Sequence, residues 1–520
     1  MKKLKIIAII LIFVFIAPFS LISCSKPETE ETSEEITTPV VETSTIKFNT
    51  GFEDVHVESI TSEVGETLTP PEEPVKDGFK FIAWVYDGVR YVFDKMPEED
   101  IELSAHWLNM SYSEGNLPCL SIDLFDENNE KYDLGLVNRE DYIDSKITLS
   151  NTEEEYIIDS ADAGFRGRGN GSWGGAGAKN GYKIKFKDKQ SVFGREENKH
   201  WVILACANFN DATLYRNYLA YNMADTIFSN IEYTTNAEWI DVYINGEYQG
   251  VYLLCEHVRV GDDRVDIESE YGVEDTGYLI EYDAYASGEE GVDYFKIDGV
   301  KYPFTVKSPD PEEYVEEGLT KEEYKSQVQY IKNYIQDVYD AALSHDFETF
   351  ESLVDINSFV DMYIIHELFK NVDTGWSSFF MYKKPNGKLY AGPVWDFDAT
   401  TNINGRGDRS PQGIYVAQDV ISGSSAQASE LFIELYKTEG FLSRVKERWQ
   451  QLSDDIEEFI DSKMNEFVYE INKSVMGRNF VLWKGKTQSE AEEVWIKDSR
   501  ELHNWFRDRI DWLDYEWKMD

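Results

Sequence analysis

Residues 237–258, AEWIDVYINGEYQGVYLLCEHV, leave this chain few choices of fold. Apolar residues alternate with polar ones on both sides of Asn245-Gly246, and an Asn-Gly pair suits the two positive-φ positions of a type I′ turn. The stretch is therefore predicted as an antiparallel hairpin whose second strand leads to Glu256 and His257. Upstream, CLSIDLFD (119–126) and SKITLS (145–150) have the look of further strands. A sheet-rich lobe is expected here.

Between those strands and the hairpin runs AGFRGRGNGSWGGAGAKNGYKIKFKDK, residues 163–189. Its glycine-rich part, Gly164 to Gly177, lets backbone N–H groups approach an anion. Tyr182 to Phe186 alternates as a strand, so Lys183 and Lys185 share one face, and Arg166 and Arg168 are likewise two apart. Four cations beside a permissive backbone contrast with a chain holding 98 Asp and Glu against 50 Lys and Arg, a net charge of −48. A phosphate-bearing ligand accounts for the contrast; a solvated loop with an exposed strand face is the alternative. The segment lacks GxxxxGK[ST] and is not a Walker A loop. The acidic excess argues against nucleic acid or an anionic membrane surface as a general partner.

After WVILACANFND, the stretch ATLYRNYLAYNMADTIF (212–228) has helical spacing, with Leu214, Tyr218 and Met223 toward a core and Arg216 and Asn217 elsewhere. The hairpin is followed by Asp263, Arg264, Asp266, Glu281 and Asp283, most of which read as turn or surface groups, with room for one ligand or ion-pair partner among them. SLVDINSFVDMYIIHELFKN (352–371) reads as one amphipathic helix delivering Asn371 and Asp373 near its C-terminal end. Strands 378–383 and 389–396 are expected to pair around Pro385-Asn386-Gly387, so that Asp373 and Asp396 project from the same open end. On a strand, the period of two puts Asp396 and Asp398 on one face with Phe397 turned the other way. Carboxylates gathered at one end need a cation or a raised pKa. Mg²⁺ commonly binds through one or two carboxylates plus substrate phosphates, and phosphoryl transfer needs an acid to orient the hydroxyl and basic groups to face the phosphate. From the residues alone, phosphotransfer, metal-dependent hydrolysis and a structural binding protein all remain open.

At the N-terminus, Lys2, Lys3 and Lys5 precede a short apolar run from Ile7 to Phe19, which fits a secretory signal rather than a spanning helix. It ends in Leu21-Ile22-Ser23-Cys24, which resembles the lipobox of bacterial lipoproteins and implies a lipid on Cys24 after removal of residues 1–23. Residues 24–43, rich in Glu, Thr, Ser and Pro, are expected to be a disordered acidic tether. The remaining cysteines, Cys119, Cys206 and Cys255, form no disulfide framework, and Cys206 and Cys255 sit in apolar contexts that suggest buried thiols. No CxxC or HExxH occurs, and the seven histidines lack zinc-ligand spacing.

Residues 44–108 alternate short strands with Pro, Asp and Gly turns and predict a small β module with a core of Phe79, Phe81, Trp84, Tyr91, Phe93 and Trp107. Its GFKFIAW centre, YVF strand and final LSAHW resemble the Listeria–Bacteroides (internalin B-type) repeat, which implies a surface spacer or adhesion module. The stretch from about 425 to 520 is helical in pattern, with Trp495, Trp505, Ile510, Leu513 and Trp517 available to pack.

FRGRGNGSW, YKIKF, WVILACANFNDATLYRN, the hairpin continuing to DVYINGEYQGVYLLCEHVRVGDDRVDI, and NVD with GPVWDFD occur in that order. Together they closely resemble the CotH kinase family, the spore coat protein H-like atypical protein kinases, and residues 115–520 are assigned to such a domain. The resemblance implies an α+β, divergent two-lobed protein-kinase-like fold behind the β module. It also implies ATP, Mg²⁺ or Mn²⁺, and transfer to Ser or Thr of a protein. Carried over by motif, Asp373 would be the catalytic acid and Asp396 the metal acid, with Asp398 a second acidic group. Lys185 or Lys183 would touch ATP phosphates, with Arg168 near the nucleotide, and Glu256 would belong to the linker beside it. The chain has AKNGY where the family often has a KKPY-like approach, after an extra GGAG. The lipid anchor implies an extracytoplasmic protein on the bacterial membrane. Some relatives are adhesion proteins, so the alternative is a non-catalytic surface binder on the same fold, with a cell-surface partner in place of a protein substrate.

Overall fold

The computed structural model describes residues 42–518 apart from 87–88, 110–116, 176, 206–212, 289–292, 312–319, 372, 402–409, 419–428, 470–472 and 485–486. The expected signal with Cys24, most of the expected tether, and Cys206 lie outside the described residues.

Strands β1 (Thr43–Asn49), β2 (Ile60–Glu63), β3 (Phe79–Tyr86), β4 (Val89–Arg90) and β5 (Ile101–Asn109) form one sheet in the order β2-β1-β5-β3-β4. The expected aromatic core is only partly realised. Ile46, Leu68, Trp84, Met96 and Leu103 are buried, whereas Phe81, Tyr91 and Phe93 pack on them from partly exposed positions. A sheet of short strands with one small core has too little depth to cover every ring.

The predicted hairpin is the spine of a closed seven-stranded barrel. Its strands are β6 (Cys119–Phe125), β7 (Ile143–Ser150), β8 (Ile158–Arg168), β9 (Gly181–Gln190), β10 (Asn198–Leu204), β11 (Ala237–Ile244) and β12 (Glu247–Glu256). They follow one another as β10-β12-β11-β6-β7-β8-β9 before closing. Asn245 and Gly246 join β11 to β12 with φ of 54° and 81°, as the Asn-Gly pair predicts. β10 and β12 bury both faces: Trp201, Ile203, Tyr252 and Leu254 line the barrel, while Val202, Leu204, Leu253 and Cys255 join the main core outside it. That double burial is why these strands read as nearly continuous apolar runs.

Helix α1 (Arg216–Thr226) lies between β10 and β11 in sequence. Beyond the barrel, β13 (Tyr278–Tyr282), β14 (Tyr294–Phe295), β15 (Phe304–Ser308), β16 (Phe379–Lys383) and β17 (Leu389–Ala391) form a second sheet ordered β14-β15-β13-β16-β17. Around it stand α2 (Lys321–Leu343), α3 (Phe347–Leu353), α4 (Ile356–Leu368), α5 (Glu430–Tyr436), α6 (Glu439–Tyr469), α7 (Lys473–Lys484) and α8 (Gln488–Lys518). The architecture is a mixed α+β one, barrel first and helices last. Trp495, Ile510, Leu513 and Trp517 are buried in the main core and Trp505 packs against it, in keeping with the expected aromatic stripe.

The single amphipathic helix expected over 352–371 is corrected in two ways. It is divided, because Asp355 accepts the Ser358 N–H and caps a new helix, α4. Nor is α4 amphipathic: every residue but Asn357 is buried, since sheet and helices enclose it on all sides. Its buried acids are paired. Asp361 meets Arg448 of α6 at 2.8 Å, and Glu367 meets Arg509 of α8 at 2.6 Å with neither side chain exposed. At the barrel edge, α7 supplies Asn479, whose Oδ1 accepts the Val251 N–H at 2.8 Å, and Trp483, whose Nε1 donates to the Gln249 carbonyl at 2.9 Å. Gly250, at φ 97°, permits this approach; a Cβ there would run into Asn479.

Replacing Arg509 by Met leaves Glu367 as a buried charge with no cation, and is expected to cost about 3 kcal/mol or more. A lower denaturant midpoint at unchanged slope would register it. The double variant Glu367→Gln with Arg509→Met should lose less than Arg509→Met alone.

Candidate active site

The cationic side of the site is built by strand register. Arg166 on β8 stands opposite Lys183 on β9, and Lys183 is opposite Val202 on β10, which in turn faces Cys255 on β12. Val202 and Cys255 belong to the main core, so this row lies on the barrel's outer surface, toward the body of the protein. Lys183 is half-buried there, while Lys185, one step along the same face, is exposed and sits 5.9 Å from the Tyr142 ring. The neighbouring row, Ile184, Trp201 and Glu256, belongs to the inner face of the strands.

Glu256 is thereby turned from the row of Arg166 and Lys183, and the cation it influences is Arg264. Its Oε2 accepts from the backbone N–H and the side-chain Nδ2 of Asn236, both at 3.0 Å, which fastens the end of β12. Lys179 is another structural cation, buried and donating to the carbonyls of Ala205 and Val251 while lying 4.3 Å from the Tyr252 ring.

The Lys183 ammonium has neither a hydrogen bond nor an ion pair among the described residues. Burial, and then the neighbouring Arg166, Arg259, Arg168 and Lys307, push its ammonium down to about 7. The same surroundings keep His257 neutral: burial lowers it well below the usual histidine range, with Lys183 and Arg259 adding to the effect. Two of these cations carry acid partners, Arg259 with Asp310 at 3.2 Å and Lys307 with Glu281 at 2.8 Å.

The acidic side meets this group at Trp395. Arg168 lies 5.6 Å from the Trp395 ring, and Tyr221 of α1 stacks on that ring at 5.8 Å. Asp396 follows directly. β17 ends at Ala391, so the expected strand 389–396 is shorter, and Asp396 sits in the left-handed region at φ 62°. The period-two basis for putting Asp396 and Asp398 on one face therefore does not apply. Long-range contacts shape the segment instead. Phe397 packs on His366 and Phe369, its N–H donates to Asn217 Oδ1 at 2.6 Å, and Arg216 Nε donates to the Thr400 carbonyl and to Thr401 Oγ1. Arg216 and Asn217, expected away from the core, are buried for this reason. Asp396 is half-buried and Asp398 buried.

Asp373 opens the turn after α4. Its N–H donates to Asn371 Oδ1 at 2.9 Å, and its carbonyl accepts from Trp376 and Ser377. The next residue, Thr374, bonds His366 Nδ1 at 3.1 Å. Burial lowers His366 to about 3, so it serves as a neutral prop beneath this turn. Five residues after Asp373, Ser378 Oγ donates to Asp396 Oδ2 at 3.1 Å, which ties the start of β16 to the segment after β17.

Glu281, one of the residues among which the sequence allows a ligand or ion-pair partner, pairs with Lys307, whereas Asn217, Ser378 and Lys307 are not singled out by the sequence. Only Arg216-Asn217, two polar residues inside the apolar run LYRNYLAY, left a signal. Among the described residues, no group of three or more His, Cys, Asp or Glu side chains forms a self-sufficient metal cage. Asp396 and Asp398 carry hard carboxylate oxygens, a donor type that suits Mg²⁺ or Mn²⁺, and Asp396 already accepts from Ser378 Oγ.

The barrel thus carries a row of cations, the body carries the acidic segment, and Arg168 meets Trp395 between them. The family model described as CotH kinase protein matches residues 165–513, and the chain belongs to the CotH kinase family. No curated protein matches it.

Lys183→Met should stabilise the ligand-free chain, since it removes an unpaired, half-buried ammonium. The folded-state value of about 7 lies below that of an unfolded lysine, so between those pH values the unfolded chain holds the extra proton and wild-type stability rises with pH. The advantage of the variant is therefore largest below pH about 7 and shrinks toward pH ~10. Melting curves of both proteins across that range test this.

Proposed function

We propose that this chain is a kinase-like phosphotransferase that moves the γ-phosphoryl group of ATP to a Ser or Thr hydroxyl of a protein. In this reading the barrel is the nucleotide-side lobe of a divergent two-lobed kinase fold and the sheet-and-helix body is the acid-side lobe. One observation carries it: Arg168, from the cation-bearing strands, stacks on the residue immediately before Asp396. A cation suited to phosphate thus touches the segment that carries Asp396, in a chain of net charge −48.

Lys183, backed by Arg166 and Arg168, takes the role of phosphate contact, and its deeper position favours it over Lys185. Asp373 orients the acceptor hydroxyl and takes its proton as the new O–P bond forms and the bond to the β-phosphate breaks. Asp396, with Asp398 two residues on, would hold Mg²⁺ or Mn²⁺, which when bound neutralises phosphate charge. Glu256 is assigned to the strand end near the nucleotide and not to direct contact.

Transfer of radiolabelled phosphate from ATP, with Mn²⁺ or Mg²⁺, is the direct test. Asp373→Asn and Asp396→Ala should each lower the rate by a factor of about 10²–10⁴, and Lys183→Met should chiefly raise the KM for ATP. Nucleotide binding by the wild type without any transfer would reduce the fold to a binding platform.

The basic head, short apolar run and Ser23-Cys24 junction support an extracytoplasmic protein anchored through lipid on Cys24, with the β module as a spacer. Metabolic labelling with a fatty acid should mark the wild type, and Cys24→Ser should lose both the label and the membrane fraction.

A further inference from the structure

Glu281 lies on β13, the strand between β15 and β16, and is almost fully buried. Both of its carboxylate oxygens are engaged, one with a cation and one with the acidic segment. Oε2 pairs with Lys307 of β15 at 2.8 Å, one of the cations that depress Lys183. Oε1 accepts the backbone N–H of Ser378 at 3.2 Å, and Ser378 Oγ in turn donates to Asp396 Oδ2 at 3.1 Å. Ser378 and Asp396 are both non-glycine residues in the left-handed region, with φ of 65° and 62°. Such conformations are held only where surrounding contacts over-determine them. The pair supports itself through the Oγ–Oδ2 bond, and Glu281 secures the Ser378 end.

We propose that Glu281 is a positioning residue that ties the two halves of the site together. Through Ser378 it fixes the direction of the Asp396 carboxylate, and through Lys307 it fixes a cation on the phosphate side. The sequence leaves Glu281 among five residues with room for one ligand or ion-pair partner, and nothing in the family motifs singles it out. The inference rests on the kinase reading in one respect only, that Asp396 is a divalent-metal acid. Supporting residues behind a metal ligand typically alter affinity by about 10–100-fold when removed. Ser378→Ala removes the hydroxyl donor while sparing the Lys307 pair. Glu281→Gln keeps an acceptor for the Ser378 N–H while removing the charge that holds Lys307.

The test is Mn²⁺ binding to the full chain, followed by electron paramagnetic resonance with and without ATP, alongside melting curves and steady-state kinetics. Ser378→Ala is expected to weaken Mn²⁺ binding about tenfold and lower kcat with little change in the KM for ATP. Glu281→Gln is expected to raise that KM as well, and the double variant should lose less than the product of the two single effects. Wild-type Mn²⁺ affinity in both single variants, with melting unchanged, would overturn the proposal. So would a wild-type chain that binds no Mn²⁺. Mn²⁺ binding that responds to both variants without any phosphate transfer would sustain the positioning role and overturn only the kinase reading.

Discussion

The buried pair of Glu367 and Arg509 is the contact on which the arrangement of the body depends. Neither side chain reaches solvent. Two charges withdrawn from water are tolerated only when their remaining hydrogen-bonding capacity is met. Here it nearly is. Glu367 also accepts the N–H groups of Tyr415 and Val416, and Arg509 also donates to the carbonyls of Pro411, Gly413 and Glu367. One ion pair thus joins the middle of the protein, the segment around 411–416 and the last helix. The need to satisfy these charges permits few alternative packings of α8 on α4. Because α4 leads directly into the Asp373 turn, a contact 142 residues apart in sequence fixes where the candidate catalytic acid stands.

A second set of contacts sets the barrel against this body. Helix α1 holds the segment after Trp395 through Asn217 and Arg216, and α7 grips the barrel edge beside Gly250. Between these clamps the barrel turns its outer row of cations toward the body. Burial, and then mutual repulsion, disfavour the charged form in that row, which is the reason Lys183 is driven toward neutrality. A structural role would be better served by apolar residues in those positions. A strongly perturbed lysine close to the segment that carries Asp396 marks this region as a candidate site. The overall negative charge elsewhere on the chain sharpens the contrast by repelling competing polyanions over longer distances.

Much of the barrel was legible because its signals are local. Asn245-Gly246 sets its own turn, and alternation along Tyr182 to Phe186 correctly places Lys183 and Lys185 on a common face. The same rule failed at WDFD. It assumed a strand, yet Asp396 takes a left-handed conformation supported by Asn217, 180 residues earlier along the chain from Phe397, and by Ser378. Periodicity also misjudged α4, since a helix enclosed on every side has no polar face to display. Glu256 sits beside Cys255 in sequence, but adjacent strand residues point to opposite faces, so it is turned away from the cationic row.

The sequence by itself determined the α+β composition of the fold, the hairpin at the barrel's centre, the row bearing the cations, and the segments carrying Asp373 and Asp396. Each of these follows from hydrogen-bonding preference and side-chain period over a few residues. Tertiary structure alone decided that Lys183 turns toward the body while Lys185 stays exposed. It also decided that Glu256 fastens a strand, that Asn217 and Ser378 shape the acidic segment, and that Glu281 joins the two halves. Those outcomes depend on which surface meets which, and that is set by contacts between residues far apart in the chain, where local propensity carries no information.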